Sequence, residues 1–163
     1  EWGIHHLDML RALSGSDART VYAKTWRPPW SLLKSDTSCA VTIEMLNGVH
    51  ALYEGIQENA ARLNTWQDVI MDHQQVKVLR STNLQSEEII HVPLLKRRAW
   101  LHAWLIEMFV EWINGKEQPP NNLDDNLQCC ALLFAAIESA HTGMPVQVQE
   151  FLKSYMDKEK LNG

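Results

Sequence analysis

Cys39-Ala40-Val41-Thr42-Ile43-Glu44-Met45-Leu46-Asn47-Gly48-Val49-His50-Ala51-Leu52-Tyr53 is the stretch that decides the fold. Cys39, Val41, Ile43 and Met45 alternate with mostly more polar neighbours, the period of a strand with one buried face. Asn47-Gly48 then offers a type I′ turn, which needs positive φ at both central residues and therefore favours this dipeptide. Val49, Ala51 and Tyr53 alternate again, so the segment reads as an antiparallel hairpin.

On the N-terminal side, residues 19–26 are rich in β-branched and aromatic side chains and predict another strand. Arg27-Pro28-Pro29-Trp30 ends it, because two prolines cannot continue a ladder, and predicts a rigid loop with exposed tryptophans. Before that strand, Leu7, Leu10 and Leu13, with Met9 and Ala12, form a helical stripe ending at Ser14-Gly15, where Gly15 suits the left-handed position after a helix. On the C-terminal side, further short strands are expected at 66–71, 75–79 and 87–92. The period then becomes helical: Leu101, Trp104, Leu105, Met108, Phe109 and Trp112 predict a helix over 99–114 that carries Trp100, Trp104 and Trp112 into a core. Asn122 with Asp125 suits a helix start, 127–141 is apolar and alanine-rich, and Gly143 with Pro145 suits its end. Val146-Gln147-Val148 leads into a last amphipathic piece at 151–156. Helix, strands and then helices predict an α+β fold: an open, mainly antiparallel β-sheet with helices packed on one face.

At 163 residues and 45% hydrophobic content the chain can bury one core, so 1–163 is read as one domain. A formal charge of -5, with no basic run longer than Lys96-Arg97-Arg98, argues against nucleic acid as a partner. The longest apolar stretch, 100–113, is interrupted by His102, Glu107 and Glu111 and is too short to span a bilayer, so no membrane is expected. Cys39, Cys129 and Cys130 are odd in number, and an adjacent pair on a helix is poorly placed to bridge to itself; reduced thiols and a cytoplasmic location are expected. Cys129 and Cys130 read as small buried residues. Seven scattered glycines include no dinucleotide or P-loop fingerprint, so the chain is expected to hold no phosphate-binding loop of its own.

Chemistry concentrates in Glu1-Trp2-Gly3-Ile4-His5-His6-Leu7-Asp8, just ahead of and within the first amphipathic helix. The chain opens inside this cluster, so it is expected to be part of a longer protein. Imidazole is the ordinary base for a proton leaving near neutral pH, and carboxylates at Glu1 and Asp8 have the spacing that shares a helix face with His5. A histidine near a helix start is nonetheless more often a cap or surface residue, and His6 reads as mostly structural. Asp8 reads as a local partner of Arg11. No metal site is expected, since adjacent histidines point about 100° apart on a helix and no zinc spacing is present.

An acidic residue, x, Gly, x, His, x, x, Asp over 1–8 resembles the second domain of the glucose-fructose oxidoreductase, inositol dehydrogenase and rhizopine catabolism (Gfo/Idh/MocA) family of NAD(P)-dependent oxidoreductases. Ala135-Ala136-Ile137-Glu138-Ser139-Ala140-His141-Thr142-Gly143, followed by Pro145-Val146, resembles that family's ending, so the likeness spans nearly the whole chain. The resemblance implies a substrate-binding and oligomerisation domain, an N-terminal Rossmann domain not contained in this chain, and NAD or NADP bound mainly by that domain together with a lysine. It implies His5 as catalytic acid or base on a sugar, inositol or related polyol, with Glu1 as its catalytic neighbour or a substrate ligand. Members more often carry Asp there, so Glu1 reaches about one methylene further. It also implies a homodimer or homotetramer through the open sheet face. Trp26, Arg27 and Trp30 are the candidate substrate-binding residues, since aromatic faces complement sugar C–H surfaces; an interface role is the alternative. A non-catalytic sugar-binding or assembly module, and an NAD-dependent glycoside hydrolase, are alternatives on the same fold.

Overall fold

The computed structural model describes residues 3–56 and 102–162, with side chains to 157. The chain divides into two compact units, one of Glu1–Glu58 with Glu117–Gly163 and the other of Asn59–Lys116. The first contains helix α1 (Gly3–Ser14), strands β1 (Ala18–Trp26), β2 (Ser38–Met45) and β3 (His50–Ile56), helix α3 (Leu123–Thr142), strand β4 (Val146–Gln147) and helix α4 (Val148–Asn162). The second contains helix α2 (His102–Ile113). The strands form one antiparallel sheet in the order β3-β2-β1-β4. The expected α+β architecture is thus observed.

One face of the sheet is the core. Val21 and Ala23 of β1 with Val41, Ile43 and Met45 of β2 pack against Leu132, Ala135 and Ala136 of α3, Leu7 of α1 and Val148 of α4. Alanines along α3 let its backbone approach β1, and each fully buried Val, Ile or Leu stabilises the fold by roughly 1.5–3 kcal/mol. Alternation turns Tyr22, Lys24, Trp26, Thr42, Leu52 and Glu54 to the other face, where Tyr22, Thr42 and Leu52 stand in one row across three strands. Leu52 is 80% exposed there.

The helix ends follow their sequence signals. Gly15 and Gly143 take φ of 63° and 70°, and the Asn122 side chain accepts from the Asp125 backbone N–H at 3.1 Å. Three expectations need correction. The β2–β3 connection is a three-residue loop rather than a two-residue type I′ turn: Met45 N–H donates to Val49 O at 2.8 Å and Gly48 N–H to Met45 O at 3.0 Å, leaving Leu46, Asn47 and Gly48 outside the ladder. Gly48, at φ 86°, still supplies the left-handed residue such a loop requires. Val146 and Gln147 form a fourth strand paired to Val21 and Thr20, and the last helix starts at Val148 rather than 151. Helix α2 lies where expected, but none of its residues is buried and Trp112 is 41% exposed, so it is not a core tryptophan. Trp100 and the strands expected at 66–71, 75–79 and 87–92 fall outside the described residues.

Candidate active site

The first turn of α1 carries the two histidines, and successive helix residues point about 100° apart. His5 is exposed, while His6 turns onto the sheet and is half-buried. His6 Nδ1 and Tyr53 Oη of β3 share a hydrogen bond of 2.8 Å, and the two rings meet edge-on with centroids 5.4 Å apart. Burial first, and the neighbouring His5 second, hold His6 below the usual imidazole pKa. Tyr53 is pushed up by burial, with Cys39 a second cause. The structural reading of His6 therefore stands with a named partner.

Room for that contact comes from Gly55. A β-carbon there would lie 2.8 Å from Tyr53 Oη and 2.9 Å from Cys39 Sγ, closer than van der Waals contact allows. Gly55 pairs with Cys39 across the β2–β3 ladder, and burial raises the Cys39 thiol pKa. A glycine inside a strand marks a close approach, and that was the one sequence signal for this cluster.

Helix α1 is held at both ends. Cys129 Sγ of α3 donates to the Ile4 carbonyl at 3.5 Å. Burial is the main cause that pushes this thiol up to about 11, with Asp8 next, so Cys129 is the inert buried residue its sequence context suggested. Further along, Arg11 is only 7% exposed and its guanidinium reaches Asp8 at 3.0 Å, Asp17 at 2.7 Å and Asp125 at 2.8 Å. The expected Asp8–Arg11 pair is present, which commits the Asp8 carboxylate to Arg11. Asp17 and Asp125 as further partners had no sequence signal beyond an arginine four residues after the buried Leu7.

The remaining candidates are placed separately. Glu1 lies outside the described residues. Trp26 ends β1 on the open face of the sheet, opposite the face reached by His6. Arg27 donates from Nη2 to Ser31 O at 3.0 Å within the following loop, and Trp30 of that loop is 63% exposed. The exposed tryptophans expected in this segment are observed. Thr25 Oγ1 donates to Asp36 Oδ2 across the same loop, and Thr37 N–H closes it on Trp26 O at 3.2 Å.

Among the described residues no group of three or more His, Cys, Asp or Glu is placed to hold a metal ion, and no helix is long and apolar enough to cross a membrane. The described glycines with positive φ, Gly15, Gly48, Gly115 and Gly143, follow helices or close a hairpin, and none opens a strand-to-helix phosphate loop.

No family model matches the chain. It is 38% identical over 173 residues to the uncharacterized protein y4oX of Sinorhizobium fredii, covering 95% of this chain and 48% of that relative. The chain thus spans about half the length of the curated relative it matches. Among solved structures it resembles an oxidoreductase of Agrobacterium radiobacter in complex with NAD+, L-tartaric acid and magnesium, with TM-score 0.62, 21% identity, and 92% of this chain and 48% of that one covered. It also resembles the WlbA dehydrogenase of Bordetella pertussis in complex with NADH and UDP-GlcNAcA, with TM-score 0.67, 15% identity, and 90% and 44% covered. A third likeness is to the scyllo-inositol dehydrogenase of Lactobacillus casei with bound NAD(H) and scyllo-inositol, with TM-score 0.54, 17% identity, and 90% and 47% covered. The chain has the α+β fold found in one half of dehydrogenases of this kind.

Proposed function

We propose that this chain is the substrate-binding and oligomerisation part of an NAD(P)-dependent oxidoreductase acting on a sugar, inositol or related polyol. The observation that carries the reading is the first turn of α1, which exposes His5 while His6 is drawn onto the sheet, on a fold shared with dehydrogenases solved with NAD and such ligands. Oxidising a secondary alcohol to a carbonyl frees the hydroxyl proton, and His5 accepts it; in the reverse direction His5 returns it. Glu1, at the start of the same motif, is the proposed neighbour of the imidazole or ligand of the substrate. The nicotinamide cofactor, NAD or NADP, belongs to a Rossmann domain elsewhere in the full-length protein. Arg27 and Trp30 remain the candidate substrate contacts, whereas Trp26, on the same sheet face as Tyr22 and Leu52, fits a subunit interface of a homodimer or homotetramer better. Cys39, Cys129 and Cys130 are free thiols, which suits the cytoplasm.

The test is titration of the full-length protein with NAD(H) and NADP(H), then a polyol and sugar panel followed by absorbance of the reduced cofactor. Binding with turnover supports the reading, and His5→Ala then lowers kcat by roughly 10²–10⁴-fold with cofactor affinity unchanged. Failure to bind either cofactor overturns it in favour of a non-catalytic binding module.

A further inference from the structure

We propose that Tyr53 and His6 are positioning residues for His5: the Tyr53 hydroxyl, given room by Gly55, pins the His6 ring to the sheet and so sets the direction in which the adjacent His5 side chain leaves the first turn of α1. This rests on the reading of His5 as the acid or base.

Three independent features build the contact. The partners are 47 residues apart in sequence and meet at 2.8 Å. Gly55 is the residue whose lack of a β-carbon leaves space for Tyr53 Oη. His6 Nε2 is buried and has no hydrogen-bond partner among the described residues, so the ring is oriented through Nδ1 alone. A half-buried ring tethered at one atom gives up its hydrogen bond to Tyr53 when it rotates away. Because His5 immediately precedes His6 on the helix, and successive residues are set about 100° apart, holding His6 against the sheet fixes the side of the first turn from which His5 leaves.

The same packing governs charge. Among the described residues, the titratable groups placed against His6 are His5 on α1 and Tyr53 on β3; Cys39 on β2 acts on Tyr53, and on α3 Cys129 lies against the Ile4 carbonyl. Burial first, and the neighbouring His5 second, lower the His6 pKa, so the packing that orients the ring also disfavours its charged form. Cutting the tether frees His6 to turn towards water, which relieves the burial that lowers its pKa.

The experiment is nuclear magnetic resonance titration of ring-labelled histidines in the full-length protein, for the wild type, Tyr53→Phe and His6→Gln, with the resonances assigned by His5→Gln and His6→Gln. In Tyr53→Phe the His6 midpoint is expected to rise towards the ordinary histidine value, with faster amide exchange in the first turn of α1. In parallel, kcat is expected to fall roughly 10- to 100-fold with cofactor affinity unchanged, the scale on which misplaced catalytic groups act. Unchanged histidine midpoints and amide exchange in Tyr53→Phe overturn the positioning role whether or not the protein turns over. Altered midpoints in a protein whose turnover survives His5→Ala instead overturn the catalytic reading on which it rests, so the two failures are distinct.

Discussion

Arg11 Nη2 lies 2.8 Å from Asp125 Oδ1 although they are 114 positions apart in sequence, and this contact joins the last turn of α1 to the first turn of α3. The same guanidinium holds Asp17, just before β1, through Nε at 3.0 Å and Nη2 at 2.7 Å. Burial disfavours its charge, but hydrogen bonds to Asp17 and then Asp125 more than offset that, and its pKa lies above the ordinary arginine value. Three carboxylates thus converge on one planar cation that makes several directed bonds at once.

Arg11→Met removes the cation and leaves Asp8, Asp17 and Asp125 facing one another. Breaking a buried ion pair from one side costs about 3–5 kcal/mol, and the lower end is expected because the carboxylates keep contact with water. Arg11→Lys, which retains charge but not the fork, should cost less. Urea unfolding of the three proteins at one ionic strength checks the order, and equal midpoints for wild type and Arg11→Met would show that the hub contributes nothing.

His6 gives stability a pH dependence. Its folded pKa is lowered, so between that value and about 6.5, the unfolded value, the unfolded chain binds more protons than the folded one. Stability then rises with pH across that window and is flat above it. The urea midpoint is expected to fall as pH drops from 7.5 towards 5, and His6→Gln should make the slope shallower by the contribution of one histidine. An unchanged slope would mean that His6 charges as readily folded as unfolded.

Gly55→Ala should destabilise through Tyr53. Overpacking of this kind typically costs about 1–3 kcal/mol, because the new methyl would sit within contact of both Tyr53 Oη and Cys39 Sγ. Removing the hydroxyl makes room, so Gly55→Ala should cost less in a Tyr53→Phe background than alone. A double-mutant cycle by urea unfolding measures that coupling, and strict additivity would place the clash elsewhere.

What the sequence discloses here is local in character. The period of 39–45, the cap at Asn122 and the left-handed glycines Gly15 and Gly143 each depend on a few neighbouring residues, and each is found where its signal lies. The hairpin was legible as a pair of strands but its loop length was not, because Asn47-Gly48 serves a three-residue loop as well as a two-residue one and the ladder register decides between them. His6–Tyr53 and Arg11–Asp125 were not legible, since nothing near either residue names a partner 47 or 114 positions away. Trp26 shows the same limit: its residue type suggests sugar or interface equally, and only alternation within β1 puts it on the open face, away from the face His6 reaches.

Ser139 supplies what the short strand β4 cannot. β4 pairs with Thr20 and Val21 and then ends, yet β1 continues past it, and the Ala23 N–H finds Ser139 Oγ at 3.0 Å instead of a strand carbonyl. The same hydroxyl donates to Met144 O at 2.7 Å, tying the end of α3 to the approach of β4. Ser139 is fully buried, so Ser139→Ala leaves a backbone donor and a carbonyl without their partner inside the protein. Each unsatisfied buried group costs about 1–3 kcal/mol, and a loss of that order in unfolding free energy is expected, with faster exchange of the Ala23 amide than of Val21. Ser139→Cys, whose thiol bonds weakly, should fall between. A Ser139→Ala protein as stable as wild type, with the Ala23 amide equally protected, would show that another acceptor replaces the hydroxyl.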